Sequence, residues 1–121
     1  MSTLKVDNIQ ATGETASRAV SGVAAAWVNF NGTGTVAIND SINVASLTDN
    51  GTGQFTFAFS SGMSNSTYSI TATSGSSNSW SSTEFIGAYA TGSFKIETGA
   101  TNASSRNDWS SNNAAIHGDL A

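Results

Sequence analysis

AWVNFNGTGTVAINDSINVASLTDNGTGQFTFAF, residues 26–59, carries two copies of one tetrapeptide, Asn31-Gly32-Thr33-Gly34 and Asn50-Gly51-Thr52-Gly53, each between apolar runs. Glycine accepts positive φ without a Cβ clash, and asparagine tolerates the left-handed region better than most residues. Each copy therefore reads as a turn, and an Asn-Gly pair between alternating apolar runs is a strong hairpin signal. Asn31, Gly32, Gly34, Asn50, Gly51 and Gly53 are the expected turn residues. After the second copy, Phe55-Thr56-Phe57-Ala58-Phe59 sets three phenylalanines on one face of a strand and Thr56 and Ala58 on the other. That is a core-facing strand.

Working outward, candidate strands fall at 26–31, 35–39, 42–47, 54–59, 67–73, 83–90, 93–98 and 112–118. Tyr68, Ile70 and Ala72 alternate inward, as do Phe94 and Ile96, while Phe85, Gly87 and Tyr89 oppose Ile86 and Ala88. Turn signals recur about every eight to twelve residues, the spacing of a sandwich. The expected fold is all-β: an antiparallel β-sandwich, jelly-roll-like, over residues 26–121, preceded by an arm and linker over 1–25. Ser (21), Thr (15), Asn (12) and Gly (12) supply half of the 121 residues, so polarity comes from short uncharged side chains rather than helix-forming Lys and Glu.

Within the arm, Leu4 and Val6 share one strand face and Ile9 takes the other, too little to bury itself. From 11 to 25, Ala16, Ala19, Val20, Val23, Ala24 and Trp27 follow helical spacing, but Gly13 and Gly22 weaken a helix. The expectation is a linker with one or two helical turns. Ser74–Ser82 and Ala100–Asn113 are rich in Ser, Asn and Gly and read as loops, each with a tryptophan, Trp80 and Trp109.

The residues Trp27 to Asn31, Gly-Thr-Gly, Val36-Ala37-Ile38, Asp40-Ser41 and Thr48 to Gly53 together resemble a β-domain that recurs in tail-fibre proteins of tailed bacteriophages, notably cyanophages. The opening Met1-Ser2-Thr3-Leu4-Lys5-Val6-Asp7-Asn8-Ile9-Gln10 is similar to the start of fibre proteins from the same phages. Ile116-His117-Gly118-Asp119 resembles the closing strand, where an aromatic more often stands at the place of His117. The match is good over residues 1–10 and 26–59 and loose over 74–111. It implies a virion structural protein, usually a homotrimer, and it names no catalytic residue.

Composition excludes several other classes. The four cations, Lys5, Arg18, Lys95 and Arg106, are scattered in a chain of net charge −4, so no cluster exists to displace counterions from nucleic acid or to seek an anionic membrane. No apolar run approaches the roughly 20 residues of a bilayer span, and no charged-then-apolar leader opens the sequence. Synthesis in the host cytoplasm followed by assembly into a virion is the expectation. Without cysteine there is neither a disulfide nor a thiolate metal site. With no proline and few lysines to blunt strand edges, either the sheets close or subunits cover one another. An intimate oligomer is the expectation, and the resemblance implies that it is a homotrimer.

No constellation points to catalysis or to a cofactor. The GxG within each NGTG enters a strand with no lysine behind it, unlike a phosphate loop. His117 is the single histidine and no Gly-x-Ser-x-Gly elbow accompanies it, so a triad has no scaffold; three copies at a trimer axis would be its one route to a metal or anion. Asp40, Asp49, Glu84, Glu97, Asp108 and Asp119 are widely spaced, and Asp49-Asn50-Gly51 is too short for a calcium loop. The expected binding surface is Trp80, Tyr89, Arg106 and Trp109: aromatic faces for sugar C–H surfaces on loops at one end of the sandwich, or plugs of a trimer interface. Arg106 is placed to pair with Asp108 or to stack on Trp109.

These readings converge on a short tail fibre or fibre-tip protein that docks to other phage tail proteins through its arm and contacts host cell-surface polysaccharide. A capsid decoration trimer, docked to other capsid proteins, is the alternative, and a carbohydrate-active enzyme is a third class without a motif. Copy number per particle separates the first two.

Overall fold

The computed structural model describes residues 1–121 apart from 11, 14, 16, 17, 20, 21, 76–81 and 100–104, and describes 18–19 and 82–87 by backbone alone. Its strands are β1 (Asn8–Ile9), β2 (Arg18–Ala19), β3 (Ala26–Asn31), β4 (Ala37–Ile42), β5 (Val44–Gly51), β6 (Gln54–Phe59), β7 (Ser69–Gly75), β8 (Ser82–Gly87), β9 (Ser93–Gly99) and β10 (Ser111–His117). All pairing is antiparallel. Two four-stranded sheets, ordered β4-β3-β10-β7 and β5-β6-β9-β8, pack together as a β-sandwich.

The alternation of the defining stretch is what joins the sheets. Ala26, Val28 and Phe30 of β3 point inward, as do Phe55, Phe57 and Phe59 of β6. Phe30 meets Phe55 and Phe57 edge-on, with centroids 5.1 and 4.9 Å apart, and Phe57 stacks on Phe94 of β9 at 5.0 Å. Ile96 and Ile116 complete a core in which each large side chain removed from water contributes about 1.5–3 kcal/mol.

Strands 26–31 and 54–59 lie where the sequence places them. The first NGTG loop runs on to Val36, so β4 starts at Ala37. A single residue, Asn43, then separates β4 from β5 and carries the chain from one sheet to the other at φ 57°. Ala88, at φ 54°, ends β8 at Gly87, three residues earlier than expected, and puts Tyr89 in a loop.

The helical reading of 11–25 is corrected at Arg18–Ala19, which are extended and pair with Asn8–Ile9 after a turn containing Gly13 at φ 92°. Ala16 and Val20 lie outside the described residues. Among the described residues there is no α-helix, and no helix long and apolar enough to cross a membrane. Leu4, Val6 and Ile9 of the arm are 84%, 43% and 41% exposed.

Candidate functional site

The two turn copies lie at one end of the sandwich but are built differently. In the first, the Asn31 side chain caps the loop, its Oδ1 accepting from the Thr33 N–H at 3.1 Å and from the Thr33 hydroxyl at 2.7 Å. Gly32 is needed for close approach: a Cβ there would stand 2.8 Å from the Phe55 ring and 3.0 Å from the Trp109 carbonyl. In the second, Gly51 and Gly53 take φ 129° and 64°, and the Gly53 N–H donates to Asp108 Oδ1 at 2.7 Å.

Trp109 is tied into the same end. It is half-buried, its indole N–H donates to the Gly99 carbonyl at 3.3 Å, and its own carbonyl accepts from Gly32 N–H (2.9 Å) and Asn112 Nδ2 (2.7 Å). Its neighbour Arg106 does not pair with Asp108. The guanidinium instead reaches Glu97 at 2.6 Å, where Lys95 also lies at 2.8 Å. Hydrogen bonds from Lys95 and then Arg106 hold the Glu97 carboxyl below the usual carboxylate range. Asp108 is committed to Gly53.

Tyr89 sits at the opposite end. Its ring lies 5.2 Å from Tyr68, which in turn packs edge-on against Phe59 at the far end of β6. A six-residue strand spans about 20 Å, so Tyr89 and Trp109 do not share a rim. Tyr68 anchors that loop, with its hydroxyl 2.9 Å from the carbonyls of both Ala90 and Ser93, and burial pushes the phenol pKa up. Trp80 lies outside the described residues. His117 is exposed near the end of β10, in register with Ser69. Among the described residues no group of three or more His, Cys, Asp or Glu is placed to hold a metal.

The arrangement that does gather binding chemistry is on the outer face of the β4-β3-β10-β7 sheet. An open depression of about 330 Å³ is lined by Trp27 and Val28 of β3, Thr71 and Thr73 of β7, and Asn113, Ala114 and Ala115 of β10. Register explains the grouping: Trp27 is paired with Ala115 and Ala115 with Thr71, while Asn29 is paired with Asn113 and Asn113 with Thr73. The two rows run across three strands on one face.

An amide relay fixes one wall. Asn39 Nδ2 donates to Asn29 Oδ1 at 2.8 Å, and Asn29 Nδ2 donates to Asn113 Oδ1 at 2.5 Å. Each asparagine orients the next, and Asn113 Nδ2 ends the relay with neither hydrogen bonded among the described residues. The hydroxyls of Thr71 and Thr73 and the indole N–H of Trp27 likewise make no hydrogen bond within the described residues. Among the described residues, no charged side chain lines the depression. The outer face of the other sheet differs, carrying the Lys95–Glu97–Arg106 cluster and a Lys95 contact to Gln54 at 3.2 Å.

Trp27 lies in the expected strand 26–31 and is not among the expected binding residues. The signal lay in Ala26-Trp27-Val28-Asn29-Phe30, where period-two alternation turns the indole and the Asn29 amide outward together. No family model matches the chain, and neither a curated protein nor a solved structure matches it.

Proposed function

We propose that the chain is a structural protein of a bacteriophage particle, a short tail fibre or fibre-tip protein. It acts as a homotrimer, held to the tail by residues 1–10, with the sandwich turned to the host surface. The sequence resemblance over residues 1–10 and 26–59 names the class. The observation that carries the reading is the N-terminal arm: Leu4, at 84% exposed, and Val6 and Ile9, at 43% and 41%, stand uncovered in the single chain. Three apolar side chains within six residues are a docking element whose cover comes from another polypeptide.

Strand edges support the trimer. Each sheet has two outer strands, β4 and β7 in one and β5 and β8 in the other. No proline blunts any of them. Ile42 of β4, 55% exposed, adds apolar surface at one such edge.

Imaging of the particle with an antibody against this chain tests the reading, together with copy number. A few trimers at the tail support it; many copies spread over the head instead indicate a decoration protein and overturn it. Sedimentation of the purified chain at low micromolar concentration tests assembly separately, since a stably folded single subunit is incompatible with the trimer.

A further inference from the structure

We propose that the depression walled by Trp27 and Asn113 binds a neutral sugar ring. This gives the host-contact role its ligand class and rests on that reading only for where the sugar comes from. The chemistry of the lining selects the occupant. A pyranose offers one apolar C–H face and an equatorial rim of hydroxyls. Trp27 offers an indole surface and an N–H, Ala115 an apolar floor, Asn113 Nδ2 two donors, and Thr71 and Thr73 hydroxyls that donate or accept. A volume of about 330 Å³ suits one or two sugar residues and is at the small end of ligand sites.

The same features exclude other occupants. A phosphorylated, acidic or basic ligand would find no counter-charge in the lining, and burying an ion without a partner is costly. An extended peptide adding a strand needs an open backbone edge, whereas Trp27 and Asn113 stand on the inner strands β3 and β10. A lipid chain would leave the Asn113 amide and two hydroxyls without partners. The relay from Asn39 through Asn29 sets the Asn113 amide before any ligand arrives, which reduces the ordering cost of binding.

The test uses the full chain on an array of neutral and charged oligosaccharides, followed by NMR titration of the isotopically labelled protein with the strongest neutral binder. The expected result is retention of at least one neutral sugar, with shifts concentrated in the Trp27 indole and Asn113 side-chain amide signals. Trp27→Ala weakens binding at least tenfold and Asn113→Ala severalfold, while Arg106→Ala, whose guanidinium pairs with Glu97 of the other sheet, leaves it unchanged. Should Trp27→Ala fail to fold, Thr71→Val removes one outward hydroxyl without changing shape and is expected to weaken binding severalfold. Retention of no neutral sugar, retention of charged sugars alone, or undiminished binding by both Trp27→Ala and Asn113→Ala overturns the proposal. So does loss of self-association in Trp27→Ala with no sugar bound by the wild type, which makes this face a contact between copies. Binding by the isolated chain stands whether the particle carries it on head or tail, so the two readings fail separately.

Discussion

The side chain of Asn43 grips the backbone of Ser61 from both sides: its Nδ2 donates to the Ser61 carbonyl at 3.0 Å and its Oδ1 accepts from the Ser61 N–H at 2.6 Å. The same Nδ2 lies 3.2 Å from the carbonyl of Ala25, and the Asn43 carbonyl accepts from Ser60 N–H. One residue thus turns the chain between sheets and ties down the start of β3 and the end of β6.

Asn43→Ala removes three side-chain hydrogen bonds, each worth about 0.5–1.5 kcal/mol net, and leaves a Cβ at positive φ. We expect a loss of about 2–4 kcal/mol in urea unfolding. Asn43→Gly keeps the backbone relaxed and loses only the bonds, so it falls between wild type and Asn43→Ala. Equal stability of the two variants would mean that the left-handed geometry costs nothing.

Ala88 presents the opposite case, a residue with no side-chain bonds held at φ 54°. Left-handed geometry costs a non-glycine residue about 1–2 kcal/mol, against about 0.5–1 kcal/mol of extra chain entropy for glycine in the unfolded state. Ala88→Gly is therefore expected to stabilise the fold by up to about 1 kcal/mol, read as a higher midpoint of thermal unfolding. A lower midpoint would contradict this.

The two NGTG copies look interchangeable in sequence and should respond unequally to the same change. A Cβ at Gly34 meets nothing within 4 Å, so Gly34→Ala bears only the φ 58° penalty, about 1 kcal/mol. A Cβ at Gly53 would run into the Thr98 carbonyl and approach Arg106 Cβ to 2.9 Å, with positive φ added. Gly53→Ala should cost well over about 3 kcal/mol by displacing the 105–109 segment or the end of β9. Comparable losses at the two sites would show that local turn strain, rather than close packing, governs both.

Strands β3 and β6 were legible to the residue because inward alternation and flanking turn residues agree there. The corner was displaced: the expected break falls at Asp40-Ser41, between strands 35–39 and 42–47, whereas β4 runs on to Ile42 and the chain turns at Asn43. The turn signal points to the left-handed capacity of Asn31 and Asn50, yet among the described asparagines it is Asn43 that stands at positive φ. Ala88 gave no warning because alanine rarely turns this way. Of the expected binding residues, Trp109 and Tyr89 proved to sit at opposite ends, a relation fixed by strand direction and invisible to composition. Trp27 was visible in principle, because alternation along the expected strand 26–31 turns it outward.

Glu97 gives the sandwich an acid-sensitive element. Lys95 and Arg106 both donate to its carboxylate, so its folded pKa lies below the ordinary value of 4.5. A depressed folded pKa means that the unfolded chain takes up the proton first as pH falls. The stability contributed by this cluster is then complete above about pH 5 and lost as pH drops through the folded pKa. Glu97→Gln, which cannot form the ion pairs, should be less stable than wild type near neutrality and should lose that gap progressively as pH falls below about 5. Arg106 is half exposed, with 51% of its side chain accessible, so added salt is expected to narrow the same gap at neutral pH. Thermal unfolding of both proteins across that range checks the sign. A gap that widens toward acid would mean that Glu97 is held in place by its packing rather than by its charge.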